Sequence, residues 1–408
     1  MNRRIWMTTK ATIVGAALCA MILPSVAQEA PKSIRIGWSL AKSGPNAPGG
    51  DTTVRPNYEM WVKEVNAAGG LMLKAYGKRV PIEVVEYDDR SSTEEAVRAI
   101  DRLISQDKVD LVLPPWGTGT NMAVAPTFAK HDLPLLGSTF LTDRAPELAK
   151  RWNNVFFMLG SGGEYAEALL NMLEEQRKAG KIGDKIAMIF VADAFGVDAA
   201  AAARKAAAKH GFKLVLDKSY PIGSQDLSPL LNEAKAQTPD TFVAFSYPPD
   251  TVLISDQARV LSFNPKVFYT GVGTQFPFFK AKYGAGLEGQ LSTGGVDGDS
   301  PLIKDYFARH KAMTGKEPDS WGSPVTYASL QILQQAIERV GKIDRKAIVQ
   351  EIRTGTFDTV VGQIKLQDQV LKGIFQVGQW QNGVFQGVAP ANLKGAKPLV
   401  VPKPEWKN

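Results

Sequence analysis

The chain has 408 residues, a formal net charge of +7 and a single cysteine. Arg3, Arg4 and Lys10 supply three of those positive charges in the first 27 residues, with no acid there, so the remainder carries only +4. Its basic residues are scattered among acids, as in Asp88-Asp89-Arg90, and no Lys/Arg block interleaves with aromatics, which argues against a nucleic-acid partner.

The N-terminus reads as an export signal. A positive start is followed by a largely apolar run from Ala11 to Leu23, then Pro24 and the small–x–small triplet Ser25-Val26-Ala27. The run is shorter than the roughly 20 residues that span a bilayer, so cleavage after Ala27 and release to the periplasm are expected. Cys19 falls inside the removed segment, and the bulky Leu18 before it disfavours a lipid anchor. The mature chain must therefore fold without disulfides. It is long enough to bury large cores, and its length suggests two domains.

Short β-like runs then alternate with helical stretches. Ile34–Trp38 reads as a strand, 57–68 as a helix closed by Gly69-Gly70, and 81–87 as a strand of alternating polarity. Ser92-Thr93-Glu94-Glu95 opens a helix with Ala96, Ile100, Leu103 and Ile104 on one face. Strands follow at 109–113 and 133–136. The rhythm restarts with helix 163–179 and strand 186–191, an alanine-rich helix to His210 and strand 213–216. Helix 227–236, strand 241–245, helix 251–261 and strand 267–269 complete it.

Helices dominate the C-terminal third, at 301–313, 325–340 and 344–353, with weak strands at 363–366 and 374–380. Too few strands accompany them for a third α/β domain, so they return to cover the first two. The expected fold class is α/β, with two doubly wound parallel-sheet lobes joined by three crossovers. Residues 31–158 with 295–370 are assigned to lobe one, and 159–294 with 371–408 to lobe two.

Open α/β sheets bind ligands at the carboxyl ends of their strands. Four loops there attract notice: Pro114-Pro115-Trp116-Gly117-Thr118-Gly119-Thr120-Asn121, Gly137-Ser138-Thr139-Phe140-Leu141-Thr142, Ala192-Asp193-Ala194-Phe195-Gly196 and Ser246-Tyr247-Pro248-Pro249. The first combines glycines, hydroxyls and a helix N-terminus, which together offer N–H groups to an anion such as a carboxylate. Each also has a plain structural reading, as helix cap, turn or aromatic core packing. Their common position after successive strands favours a shared pocket.

Catalytic patterns are scarce. No mature cysteine remains to act as nucleophile, and no nucleophile elbow or phosphate loop occurs. His131, His210 and His310 lack metal-ligand spacing and read as surface residues. No cofactor or metal is expected, and an enzyme is not expected.

Several short stretches in order resemble the periplasmic solute-binding proteins of ABC importers, in the leucine/isoleucine/valine-binding family. They are Ile36-Gly37, Ser43-Gly44-Pro45, Val65–Gly70, Val85–Asp89 and Ala145-Pro146-Glu147-Leu148. The resemblance implies a two-lobed clamp whose carboxylate contacts correspond to Gly117, Thr118, Ser138 and Thr139. Phe195 would close from the second lobe, and Tyr247 corresponds to the aromatic after the next strand; Trp116 and Val272 are added as candidates from their own loops. The resemblance also implies an acid after the strand at 267–269, to pair with a ligand ammonium. Here Thr270–Gln275 contains none, so either Asp143 or Asp193 substitutes or the ligand lacks an ammonium. The loop 137–144 also looks long, which leaves Thr142 as an alternative contact.

Trp116, Phe195, Tyr247 and Phe276 together suggest an aromatic pocket, which keeps both amino acids and aromatic or aliphatic carboxylates open. The expected function is a monomeric ligand-capture subunit that delivers its ligand to ABC permease subunits at the membrane. The same clamp serving a chemoreceptor or kinase as a sensor is the alternative, and an exported hydrolase a remote one.

Overall fold

The computed structural model describes Met1 and residues 29–406. The expected signal segment and its cleavage after Ala27 lie, Met1 apart, outside the described residues.

The first sheet places Ile34–Ser39 between Ile82–Tyr87 and Leu111–Val112, all parallel. Leu135–Gly137 pairs in parallel with Val155–Phe157, and Phe157 bridges to Val370 from the far end of the chain. Helix Thr93–Ser105 packs on this sheet through Ala96, Ile100 and Leu103. Ser92 caps it by accepting from the Glu95 N–H at 3.3 Å. The helix lies so close that a Cβ on Gly37 would stand 2.6 Å from the Leu103 side chain. Only a glycine in the strand permits that approach.

The second sheet has seven strands. Lys213–Tyr220, Lys185–Val191, Thr241–Phe245, Val267–Thr270 and Leu291–Thr293 run parallel in that spatial order. Thr241–Phe245 is buried along its whole length and Lys185–Val191 at all but its first residue, as strands covered by helices on both faces should be. The antiparallel hairpin Val377–Gln381 and Val384–Ala389 extends the edge beyond Leu291–Thr293. Its turn is Asn382-Gly383, with φ of 51° and 73°, the left-handed pair that a two-residue hairpin demands.

The chain passes three times between these sheets. It leaves Val155–Phe157 for helix Gly162–Lys178, which packs on helix Ala194–Lys209 and on the C-terminal hairpin. It returns after Leu291–Thr293, and helices Pro301–Thr314 and Gly322–Val340 pack on helix Arg55–Ala67 beside the first sheet. After Val370 it crosses again to supply the hairpin. The C-terminal helices thus cover the first lobe while the last strands join the second.

Two histidines depart from expectation: the His210 side chain is only 8% exposed, with its ring nitrogens 3.0 Å from Glu167 and Glu174. His310 is fully buried, edge-on to Tyr306 with ring centroids 5.8 Å apart, and its Nδ1 lies 2.9 Å from the Lys316 carbonyl. It lies on the inward face of helix Pro301–Thr314, and burial lowers its pKa. Helical phase, not residue polarity, decides its place.

Candidate functional site: a cavity between the lobes

After Leu111–Val112 the chain turns through Pro114 and Pro115 into Gly117, whose φ of 93° and ψ of 147° suit glycine alone. Helix Thr118–Lys130 starts there without a side-chain cap. The N–H groups of its first turn have no intrahelical acceptor and point out of the helix end. Asn121 holds the turn by donating to the Pro115 and Gly117 carbonyls at 2.8 and 2.9 Å. Helix Ala194–Lys209 on the facing lobe differs, because the Asp193 carboxylate accepts from the Gly196 N–H at 2.9 Å.

The loop 138–142 is tied to this turn. Thr139 Oγ1 accepts from the Gly117 N–H at 3.0 Å, and Thr118 Oγ1 both donates to the Leu141 carbonyl (3.0 Å) and accepts from its N–H (3.2 Å). The Thr139 hydroxyl also approaches the Pro115 carbonyl at 3.4 Å. Both threonine hydroxyls thus shape the backbone. Ser138 Oγ accepts from Thr326 at 2.9 Å and keeps its own proton for another partner.

From the second lobe, Phe195 and Tyr247 stack at 5.3 Å and 27°, and Tyr247 in turn meets Trp116. The Tyr247 hydroxyl donates to Asp193 Oδ2 at 2.7 Å. Burial raises the pKa of both partners, the phenol well above its usual range. Val272 is anchored by its N–H to the Ser246 carbonyl at 2.9 Å.

These residues line one cavity between the lobes, with about 400 Å³ of space between atoms, part of it open to solvent. All eight positions singled out in the sequence line it: Trp116, Gly117, Thr118, Ser138, Thr139, Phe195, Tyr247 and Val272. So does Phe276. Thr142 does not; its hydroxyl donates to Asp198 Oδ2 at 2.5 Å across the cleft. The two acids considered as ammonium partners are also absent from the wall. Asp143 pairs with Lys205 at 2.7 Å, and Asp193 caps its helix. No Asp or Glu lines the cavity among the described residues.

Sequence reasoning missed Thr53, Leu141, Leu159, Trp321 and Gly322 in this wall. Thr53, Trp321 and Gly322 are placed by Asp319, a fully buried carboxylate at the start of helix Gly322–Val340. It accepts from the N–H groups of Trp321 (2.9 Å), Gly322 (2.6 Å) and Ser323 (3.0 Å), and from the hydroxyls of Ser323 (2.6 Å) and Thr53 (3.1 Å). Even with five donors, burial raises its pKa. The run Asp319-Ser320-Trp321-Gly322 before an apolar helical stripe is a capping signal that could have been read.

The lobes touch across the cavity. Thr142–Asp198, Asp143–Lys205 and the Trp116–Tyr247 rings all join opposite sides. Helix Thr118–Lys130 also contacts helix Ala194–Lys209. The arrangement is a shut clamp around a mainly apolar chamber that has N–H donors at one end.

Residues 33–384 match the sequence model of a family described as "Periplasmic binding protein". The chain belongs to that family. A relative, Leu/Ile/Val-binding protein homolog 7 of Brucella abortus (strain 2308), is 25% identical over 397 residues, covering 92% of this chain and 96% of the relative. Among solved structures, the branched-chain amino acid transporter substrate binding protein LivJ of Streptococcus pneumoniae, in complex with isoleucine, aligns with a TM-score of 0.75. It shares 23% identity and covers 88% of this chain and all of that one. A solute binding protein of an ABC transporter from Rhodopseudomonas palustris BisB5, in complex with 3,4-dihydroxy benzoic acid, aligns at 0.73. It shares 18% identity and covers 88% and 96% of the two chains. This periplasmic binding protein therefore has the two-lobed α/β fold that its sequence foreshadows.

Proposed function

We propose that this periplasmic binding protein captures a small organic carboxylate with an apolar, aromatic or branched aliphatic body and hands it to an ABC permease. The observation that carries the reading is the uncapped N-terminus of helix Thr118–Lys130, which opens on a cavity walled by Trp116, Phe195, Tyr247, Phe276 and Trp321. A carboxylate set there meets free N–H groups, the positive end of the helix dipole and the Ser138 hydroxyl. The aromatic wall then covers its body. Relatives whose solved complexes hold isoleucine and 3,4-dihydroxy benzoic acid support a ligand of this size and charge.

In this reading the ligand meets one lobe first and gains its remaining contacts from the other, so binding shifts the population towards the shut form. The test is a thermal-shift and calorimetry panel on the mature chain, with branched-chain amino acids, aromatic carboxylates and aliphatic carboxylates. A ligand present at 100 times its Kd adds about 2.7 kcal/mol, which is readily seen as a higher Tm. The reading falls if no carboxylate at millimolar concentration raises the Tm while an uncharged or cationic metabolite does.

A further inference from the structure

Gln275 stands in the loop after strand Val267–Thr270, only 2% exposed, and lines the cavity. The backbone N–H of Gly273 lies 3.2 Å from one end of its amide, and the Ser292 hydroxyl lies 3.2 Å from the same atom. A backbone N–H can only donate, so that atom is the carbonyl oxygen Oε1. The other end is therefore the NH2 group. It is buried and has no hydrogen-bond partner among the described residues.

Buried donors without acceptors are rare in folded proteins. Here the neighbours on the loop turn the amide so that its donor end is the one left over. No carboxylate of the wall is there to accept from it, since no Asp or Glu lines the cavity among the described residues. The Trp321 indole, another group able only to donate, lines it from the other lobe. Beside Gln275 an ammonium would meet an amide donor in place of a carboxylate; an oxygen acceptor would find an N–H there.

We infer that Gln275 is a specificity-determining residue: its amide NH2 holds a second oxygen acceptor on the ligand and excludes an ammonium from that position. The acceptor is a hydroxyl, carbonyl or carboxylate oxygen, separate from the carboxylate at helix Thr118–Lys130. The amide is preorganised by Gly273, so its orientation costs the complex little. The inference rests on the carboxylate-capture reading above and names the ligand's second group.

Two matched series test it by calorimetry on the mature chain. One is L-leucine, 2-hydroxy-4-methylpentanoate and 4-methyl-2-oxopentanoate. The other is 4-(aminomethyl)benzoate, benzoate and 4-hydroxybenzoate. In at least one series the oxygen-bearing members bind at least about tenfold tighter than the ammonium-bearing one, because a site built around a hydrogen bond rejects analogues that cannot make it. Gln275→Leu brings that ratio to within about threefold, and Gln275→Glu, which supplies an acceptor, reverses it.

A wild type that favours the oxygen-bearing members by less than about tenfold in both series overturns the inference without any variant. So does a ratio that both substitutions leave unchanged, and carboxylate capture then stands while the role of Gln275 does not. If no member of either series binds the wild type, capture of such carboxylates and the role of Gln275 fall together.

Discussion

The indole of Trp116 and the phenol ring of Tyr247 meet across the cleft with centroids 5.2 Å apart and planes inclined at 55°. Behind the indole, Gly49 leaves no room for a side chain: a Cβ there would stand 2.2 Å from Trp116 Cζ2. Its neighbour Gly50 is different, with nothing nearer than 4.0 Å to an added Cβ. Both glycines have helical φ values, −68° and −58°, so alanine is conformationally acceptable at either. Gly49→Ala should therefore destabilise by steric displacement of Trp116, by about 1–3 kcal/mol as overpacking does, while Gly50→Ala stays near neutral. Trp116→Leu in the Gly49→Ala background should restore part of the loss, measured as a double-mutant cycle in urea melts. Equal effects at the two glycines would refute the steric account.

Thr118 makes a different prediction from the one its loop position suggests. A hydroxyl reserved for ligand could be removed without cost to the empty protein. This one is buried and bridges both polar groups of the Leu141 backbone. Thr118→Ala should lower the stability of ligand-free protein by about 1–3 kcal/mol, because it strands a buried N–H and carbonyl. Thr118→Ser should keep most of it. Thermal melts without ligand decide, and an unchanged Tm for the alanine variant would count against the bridging role.

The cross-cleft polar contacts are weak individually. Lys205 is 74% exposed and Asp143 25%, so water and salt screen their pair at 2.7 Å and it adds little. Lys205→Ala should weaken ligand affinity by no more than about fivefold, as expected of a solvent-exposed pair. It should also raise the radius of gyration of the empty protein measured by X-ray scattering. Neither residue lines the cavity, so the loss reports the closure equilibrium. The effect should shrink in high salt. A loss that is independent of salt would point elsewhere.

Burial raises the Asp250 carboxyl from 3.8 to about 6, against the opposing Tyr247 N–H and Tyr220 hydroxyl. The folded state thus favours the protonated acid. Its stabilising contribution is complete below pH 3.8 and is lost as pH rises through about 6. A shift of this size corresponds to something on the order of 3 kcal/mol. Asp250→Asn cannot ionise, so the variant should gain on the wild type as the pH of a urea melt goes from about 4 to about 7. A constant offset between the two proteins across that range would contradict the assignment.

Much of the architecture was legible because buried parallel strands announce themselves. Residues 186–191 and 242–245 are unbroken apolar runs after a helix, and chain order then fixes their neighbours. Leu291–Thr293 and Val384–Ala389 escaped notice. The first is three residues long, and the second alternates polarity only weakly around Gly387. The loops at Trp116, Ser138, Phe195 and Tyr247 were legible by their place after strands. Thr53 was not, because it is brought to the cavity by Asp319, 266 residues away in sequence. Gln275 was visible only as the lack of an acid. Its donor face depends on the Gly273 N–H, a backbone detail that composition does not carry.

The winding route of the polypeptide decides how it can be taken apart. Neither half is encoded by one continuous stretch, since helices Pro301–Thr314 and Gly322–Val340 return to the first lobe before strands Val377–Gln381 and Val384–Ala389 rejoin the second sheet. A protease that nicks one linker would leave the pieces fastened by two others. Only a triple cut could free one half from its twin, and no simple truncation would yield a self-sufficient fragment of either.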